Sequence, residues 1–201
     1  EKRGPVRPST IAKEVLHFIR STIPTTIEIR QRIESDSMII GNATQIHQVL
    51  MNLCTNAAHA MDESGGILDV GLKDLTLDQK ALSIGLEPGD YLEIKVSDTG
   101  VGISPEIIES VFEPYFTTKR VGEGTGMGLA MVHGVVEGHG GKIMVDSQLE
   151  EGTTFTAYLP VTKRRSGRRE YVPDQLPTGS ERILYVDDEN PIAKMGSQIL
   201  R

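Results

Sequence analysis

Four uncharged polar side chains, Gln48, Asn52, Asn56 and His59, stand at spacings of four, four and three along a stretch with helical periodicity. Residues so spaced share one face of a helix. Between Gly41 and Met61 there is no Lys, Arg, Asp or Glu, and asparagine is a poor residue for a helix interior. Amide oxygens are hard donors of the kind Mg²⁺ takes, so the row suits a metal–phosphate group. An ordinary solvated face is the competing reading, although such faces usually carry charges. The helix alone leaves both open.

Two further segments have chemical character. Asp98-Thr99-Gly100-Val101-Gly102-Ile103 follows a strand directly. A carboxylate at a strand end, with glycines that admit close backbone approach, suits an acceptor for a ring amino group in a tight pocket. Taken singly, the motif is better read as a plain Asx turn. Gly122-Glu123-Gly124-Thr125-Gly126-Met127-Gly128 leads into a helix, where free N–H groups and the dipole favour phosphate. A flexible surface loop is the alternative. No Gly-x-x-x-x-Gly-Lys-Ser/Thr occurs, since Val136 lies five residues before Gly141-Lys142 and Ile143 follows. No Gly-x-Gly-x-x-Gly follows a strand, which excludes the dinucleotide fingerprint and the eukaryotic protein-kinase loop.

These residues need a scaffold, and the apolar pattern supplies one. Ser9 or Thr10 can cap a first helix with Ile11, Val15, Phe18 and Ile19 inward, ended by Pro24. Ile27, Ile29 and Ile33 keep the period of a half-buried strand. Ile46, Val49, Leu50, Leu53, Ala57 and Ala60 form the apolar stripe opposite the amide row, with Cys54 read as packing. Leu68, Val70 and Leu72 alternate as a strand, as do Leu92, Ile94 and Val96. Pro105 opens a short predicted helix through Val111. Another helix starts near Met127, with Leu129, Val132, Val135 and Val136 inward, and stops at Gly140-Gly141. Lys142–Ser147 and Thr153–Pro160 form a hairpin. Irregular interleaving of strands and helices predicts an α+β class, with a mixed, largely antiparallel sheet and helices on one face.

Composition narrows the partners. The chain has 201 residues, a formal net charge of −7 and one cysteine. The acidic balance argues against nucleic acid, and a lone cysteine excludes an internal disulfide framework. No apolar run reaches the ~18 residues of a spanning helix, so a cytoplasmic location is expected, with any membrane anchor outside this stretch. The absence of an initiator Met suggests a piece of something larger.

Taken in order, the chemical segments resemble the histidine-kinase ATPase domain of the GHKL superfamily. Gln48–Ala57 resembles the N box, Asp98–Ile103 the G1 box, Phe112-Glu113-Pro114-Tyr115-Phe116-Thr117-Thr118-Lys119 the F box, and Gly124-Thr125-Gly126-Met127-Gly128-Leu129 the G2 box. Gly152-Thr153-Thr154-Phe155 closes the domain as in that family. The resemblance implies a two-layer α/β sandwich of Bergerat type that binds ATP with Mg²⁺. Asn56 is implied as the Mg²⁺ ligand and Asn52 as an amide near the phosphates. His59 stands where many members have a phosphate-binding Lys or Arg. Asp98 is implied as the acceptor of the adenine amino group. Gly100, Gly102, Ile103, Thr117, Gly124, Thr125, Gly126, Met127, Gly128, Leu129 and Thr153 are implied around the nucleotide, and residues 104–125 as a mobile lid from which Lys119 reaches the phosphates. Hydrolases of the superfamily carry Glu at the position of Asn52. A neutral amide cannot serve as general base, which favours transfer over hydrolysis.

The implied catalytic domain covers residues 1–162. Residues 163–180 are basic, with two prolines and two glycines, and read as a linker. Ile183-Leu184-Tyr185-Val186-Asp187-Asp188-Glu189 resembles the first strand and acidic pair of a receiver domain, so 181–201 is expected to be a receiver fragment. The parent would be a hybrid kinase, dimeric through a two-helix hairpin that carries the phosphoacceptor histidine and precedes this chain. His17 lacks that setting, being followed by Phe18, and reads as a helix surface or packing residue. His47, His133 and His139 receive no role. Two rival readings are an ATP-sensing module without transfer activity and a serine-directed kinase of the same superfamily.

Overall fold

In the computed structural model, residues 3–62, 64–118 and 125–162 are described. The elements run β1 (Gly4–Val6), α1 (Pro8–Thr22), β2 (Ile27–Ile33), β3 (Ile39–Gly41), α2 (Ala43–Ala60), β4 (Gly66–Leu77), a 3₁₀ turn (Gln79–Ile84), β5 (Gly89–Asp98), α3 (Gly128–Gly138), β6 (Lys142–Gln148) and β7 (Gly152–Pro160).

Alternating side chains build the sheet. Along β5, Leu92, Ile94, Val96 and Asp98 are buried while Lys95 faces solvent, and β7 matches it with Thr153, Phe155, Ala157 and Leu159. The strand order is β2-β4-β5-β7-β6. Only β2–β4 is parallel; the other three pairings are antiparallel. The expected mixed, largely antiparallel sheet is therefore present, with α1, α2 and α3 supplying the second layer. Helix α2 contributes Ile46, Val49, Leu50, Leu53 and Cys54, all fully buried. Each fully buried aliphatic side chain contributes about 1.5–3 kcal/mol, and Leu53→Ala would cost about 2–5 kcal/mol with its cavity included.

Several local expectations are corrected. Helix α1 starts at Pro8, with Arg7 in the capping position and no side-chain cap. Ser9 instead donates to Asp36 Oδ1 at 3.1 Å. Proline is well suited to the first helical position because its missing N–H would be unpaired there. Phe18 lies outside the core, 53% exposed. On α2, Ala58 is buried and Ala60 only half-buried, because Ala60 borders a cavity. Between Pro105 and Val111 there is no helix. Ile107, Ser110 and Glu113 each bond the carbonyl three residues back, as successive turns. The β-branched Ile107, Ile108 and Val111 disfavour a regular helix in so short a segment.

A second, two-stranded sheet escaped the periodicity analysis because its strands have three residues each: β1 pairs antiparallel with β3. Val161 bridges Ile39, and the Thr162 N–H donates to the Met38 carbonyl at 2.9 Å. The start and the end of the described domain thus meet at β3, which feeds Asn42. Asn42 caps α2, its Oδ1 accepting from the backbone N–H groups of Thr44 at 2.8 Å and Gln45 at 3.3 Å. Such a cap contributes about 1 kcal/mol.

The linker at 163–180 and the receiver-like segment at 181–201 lie outside the described residues.

Candidate nucleotide site

The amide row of α2, the end of β5 and the start of α3 border one cavity of about 640 Å³. That volume is in the range of small-molecule and cofactor sites. Of the residues expected around a nucleotide, Asn52, Asn56, His59, Asp98, Gly102, Ile103, Thr117, Thr125, Gly126, Gly128, Leu129 and Thr153 line it. Gln48, the fourth member of the amide row, does not. Instead its carbonyl accepts the Asn52 Nδ2–H at 2.8 Å. This bond fixes the amide so that Oδ1 faces α3.

Asp98 is 8% exposed at the last position of β5. Its Oδ1 accepts the Gly100 N–H at 2.9 Å. Burial raises its carboxyl above the usual carboxylate range, while the backbone N–H groups of Gly100 and Thr153 pull the other way. A desolvated carboxylate held by fixed backbone donors retains acceptor capacity for a ligand.

The loop after Asp98 is held from two sides. On one side, the Val101 N–H donates to the Ala60 carbonyl at 3.1 Å. On the other, the Val101 carbonyl accepts the Glu150 N–H at 3.0 Å, and the Ile103 N–H donates to Ser147 Oγ at 2.8 Å. A Cβ at Gly102, whose φ is +70°, would lie 2.0 Å from the Gln148 carbonyl oxygen. Gly102 therefore lets the loop approach the β6–β7 turn.

Two expected lining residues are elsewhere. Gly100 sits against the end of α2, where a Cβ would come within 2.5 Å of the Ala60 carbonyl oxygen. Its role is close packing, not lining. Met127 stands at the capping position of α3 and is 48% exposed. Lys119 and Gly124 lie outside the described residues. Periodicity missed Ile107, Val111, Phe116 and Phe155, which give the cavity an apolar wall. Ser147 received no role from the sequence, because its contacts depend on sheet register.

A nucleotide with a metal fits this donor set. Among the described residues no group of three or more His, Cys, Asp or Glu could hold a metal ion. On the α2 face of the cavity the hard oxygens are the amides of Asn52 and Asn56, so a cation held there would rely on them and on the ligand's own phosphates.

Residues 41–163 match the family described as "Histidine kinase-, DNA gyrase B-, and HSP90-like ATPase". The chain belongs to that ATPase family. Among its relatives, the sensor kinase CckA of Brucella abortus is 36% identical over 78% of this chain and 18% of its own length. The sensor histidine kinase ZraS of Escherichia coli is 43% identical over 63% of this chain and 24% of its own. The chain thus spans a quarter or less of these multidomain relatives. The mycobacterial sensor histidine kinase MprB superposes with a TM-score of 0.64 at 27% identity, covering 80% of this chain and 98% of that one. The catalytic domain of histidine kinase ThkA gives 0.65 at 26%, covering 80% and 96%. Within the ATPase family the chain is an ATP-binding catalytic domain of the sensor histidine kinase kind. No helix of the described residues is long and apolar enough to cross a membrane.

Proposed function

We propose that this domain binds Mg²⁺–ATP and donates the γ-phosphate to a histidine on a dimerisation hairpin of the same kinase. The observation that supports transfer over hydrolysis is Asn52: a neutral amide, tied to the Gln48 carbonyl, occupies the helix face that borders the cavity. An amide cannot take a proton from water. Asn56 would hold the metal, Asp98 would accept from the adenine amino group, and Gly126 and Gly128 would admit the phosphates to the start of α3. His59, Thr117, Thr125 and Lys119 complete the proposed phosphate surroundings. The intact kinase would be a cytoplasmic dimer, membrane-anchored or not. Residues 163–180 would tether a receiver domain beginning near Ile183, making the parent a hybrid that relays phosphate to its own aspartate.

The deciding experiment adds a separately produced dimerisation hairpin to this chain with γ-labelled ATP and Mg²⁺. Acid-labile label on the hairpin is expected, and none on the chain alone. Tight ATP binding with no transfer would instead establish a sensing module.

A further inference from the structure

Ser147 lies on β6, outside every segment singled out by its chemistry, yet its hydroxyl meets three partners. It receives the Ile103 N–H at 2.8 Å. It lies 3.0 Å from the Gly152 carbonyl oxygen and 2.8 Å from Thr153 Oγ1. A hydroxyl has one proton to give and two lone pairs to receive with. The carbonyl of Gly152 can only accept, so the Ser147 proton goes there. The Ile103 N–H takes one lone pair. The contact with Thr153 is then made only if Thr153 donates its own proton to Ser147. This wiring satisfies all three contacts at once.

Thr153 is the cross-strand partner of Asp98, lines the same cavity, and is 5% exposed. With its proton committed to Ser147, its oxygen can offer the cavity only lone pairs. Asp98 above its titration range offers only lone pairs too. The two side chains then form an acceptor-only edge.

We propose that Ser147 is a positioning residue for base selection: by taking the Thr153 proton it denies the site a donor for a 6-oxo purine. The inference rests on the proposed placement of the base at Asp98. Adenine presents an amino group, which an acceptor-only edge matches. Hypoxanthine presents a carbonyl oxygen at the same place, which would face two acceptors. Without Ser147 the Thr153 hydroxyl is free to turn and donate to that oxygen.

The test measures ADP and inosine diphosphate affinities by calorimetry for the full chain and for Ser147→Ala, Ser147→Thr and Thr153→Val. In Ser147→Ala the preference for ADP over inosine diphosphate should shrink by about three- to tenfold, the range of one neutral hydrogen bond. Ser147→Thr keeps a hydroxyl and should restore the preference. In a Thr153→Val background, Ser147→Ala should leave the preference unchanged, because the hydroxyl it orients is gone. An undiminished preference in folded Ser147→Ala overturns the proposal. If Ser147→Ala does not fold, Thr153→Val decides: removing the oriented hydroxyl must alter the preference, and an unaltered preference overturns the proposal. Failure of the underlying base placement looks different: wild type itself would then show no preference, and Asp98→Asn would bind ADP normally.

Discussion

A Cβ placed on Gly128 would lie 2.7 Å from Oδ1 of Asn52. The first residue of α3 and the amide row of α2 are therefore in direct steric contact, and the amide holds its position only because residue 128 has no side chain. Gly128→Ala separates two effects. Alanine improves helix propensity by up to about 1 kcal/mol, whereas its methyl pushes the Asn52 amide off the Gln48 carbonyl, a bond of about 0.5–1.5 kcal/mol. Thermal stability should change by less than about 1 kcal/mol. Mg²⁺–ATP affinity should drop about five- to tenfold, measured by calorimetry, if one such bond positions the phosphates.

Asp98 predicts a pH signature with opposite signs for folding and for binding. Its carboxyl is raised by burial, so the folded state holds its proton to higher pH than the unfolded state does. Between the ordinary carboxylate value and the raised one, its contribution to stability falls as pH rises. At neutral pH the buried charge is a cost, so Asp98→Asn should leave the ligand-free domain as stable or more so in denaturant titrations. On the proposed placement of the base at Asp98, nucleotide binding requires the ionised acceptor. ADP affinity should weaken as pH falls toward the raised value, and Asp98→Asn should cost about tenfold or more at neutral pH and flatten that dependence.

The F-box turn and the loop before α3 meet through two residues in left-handed conformation. Tyr115 has φ 68° and Gly126 φ 65°, and the Tyr115 N–H donates to the Gly126 carbonyl at 2.9 Å. For Tyr115, a residue 75% exposed, this conformation costs about 1–2 kcal/mol. Tyr115→Gly should therefore be neutral or stabilising in thermal unfolding. Gly126→Ala should do harm, because its Cβ would sit 2.4 Å from the Tyr115 carbonyl carbon. Adding the left-handed penalty gives a loss of at least about 1–2 kcal/mol, with ATP affinity falling in parallel.

Cys54 supplies a probe of opening. It is fully buried on α2, and burial pushes its thiol up to about 12. The native domain should resist thiol reagents at neutral pH, with labelling limited by unfolding and slowed by bound nucleotide. The unfolded thiol ionises near its ordinary 9.0. Stability should thus be independent of this group below that value and decline as pH rises from there toward 12. Cys54→Ala should abolish labelling and flatten that alkaline decline.

By itself the sequence determined the parts that depend on local period. The uncharged row on α2 was legible because helical spacing places Asn52, Asn56 and His59 on one face whatever the rest of the chain does. Asp98 was legible because an alternating strand ends on it. The alternation of Leu92, Ile94 and Val96, and of the β7 residues, likewise carried the mixed sheet. The turns at 105–111 differ from the expected helix, since a proline start does not reveal that β-branched residues will stop propagation.

Only the tertiary structure decided which of these parts touch. Ser147 and Ile103 are 44 positions apart, and their bond exists because the β5–β7–β6 register brings the β6–β7 turn under the loop after Asp98. The same register puts Thr153 opposite Asp98 and forces Gly152, at φ +110°, against the Asp98 backbone. It also shows Gly100 packing on α2 while Gly102 faces the cavity, though both belong to one motif. Side-chain period is a property of a few neighbouring residues, but register and close approach are settled by the whole sheet. That is why the donors of this site could be named from the chain, and the contacts that aim them could not.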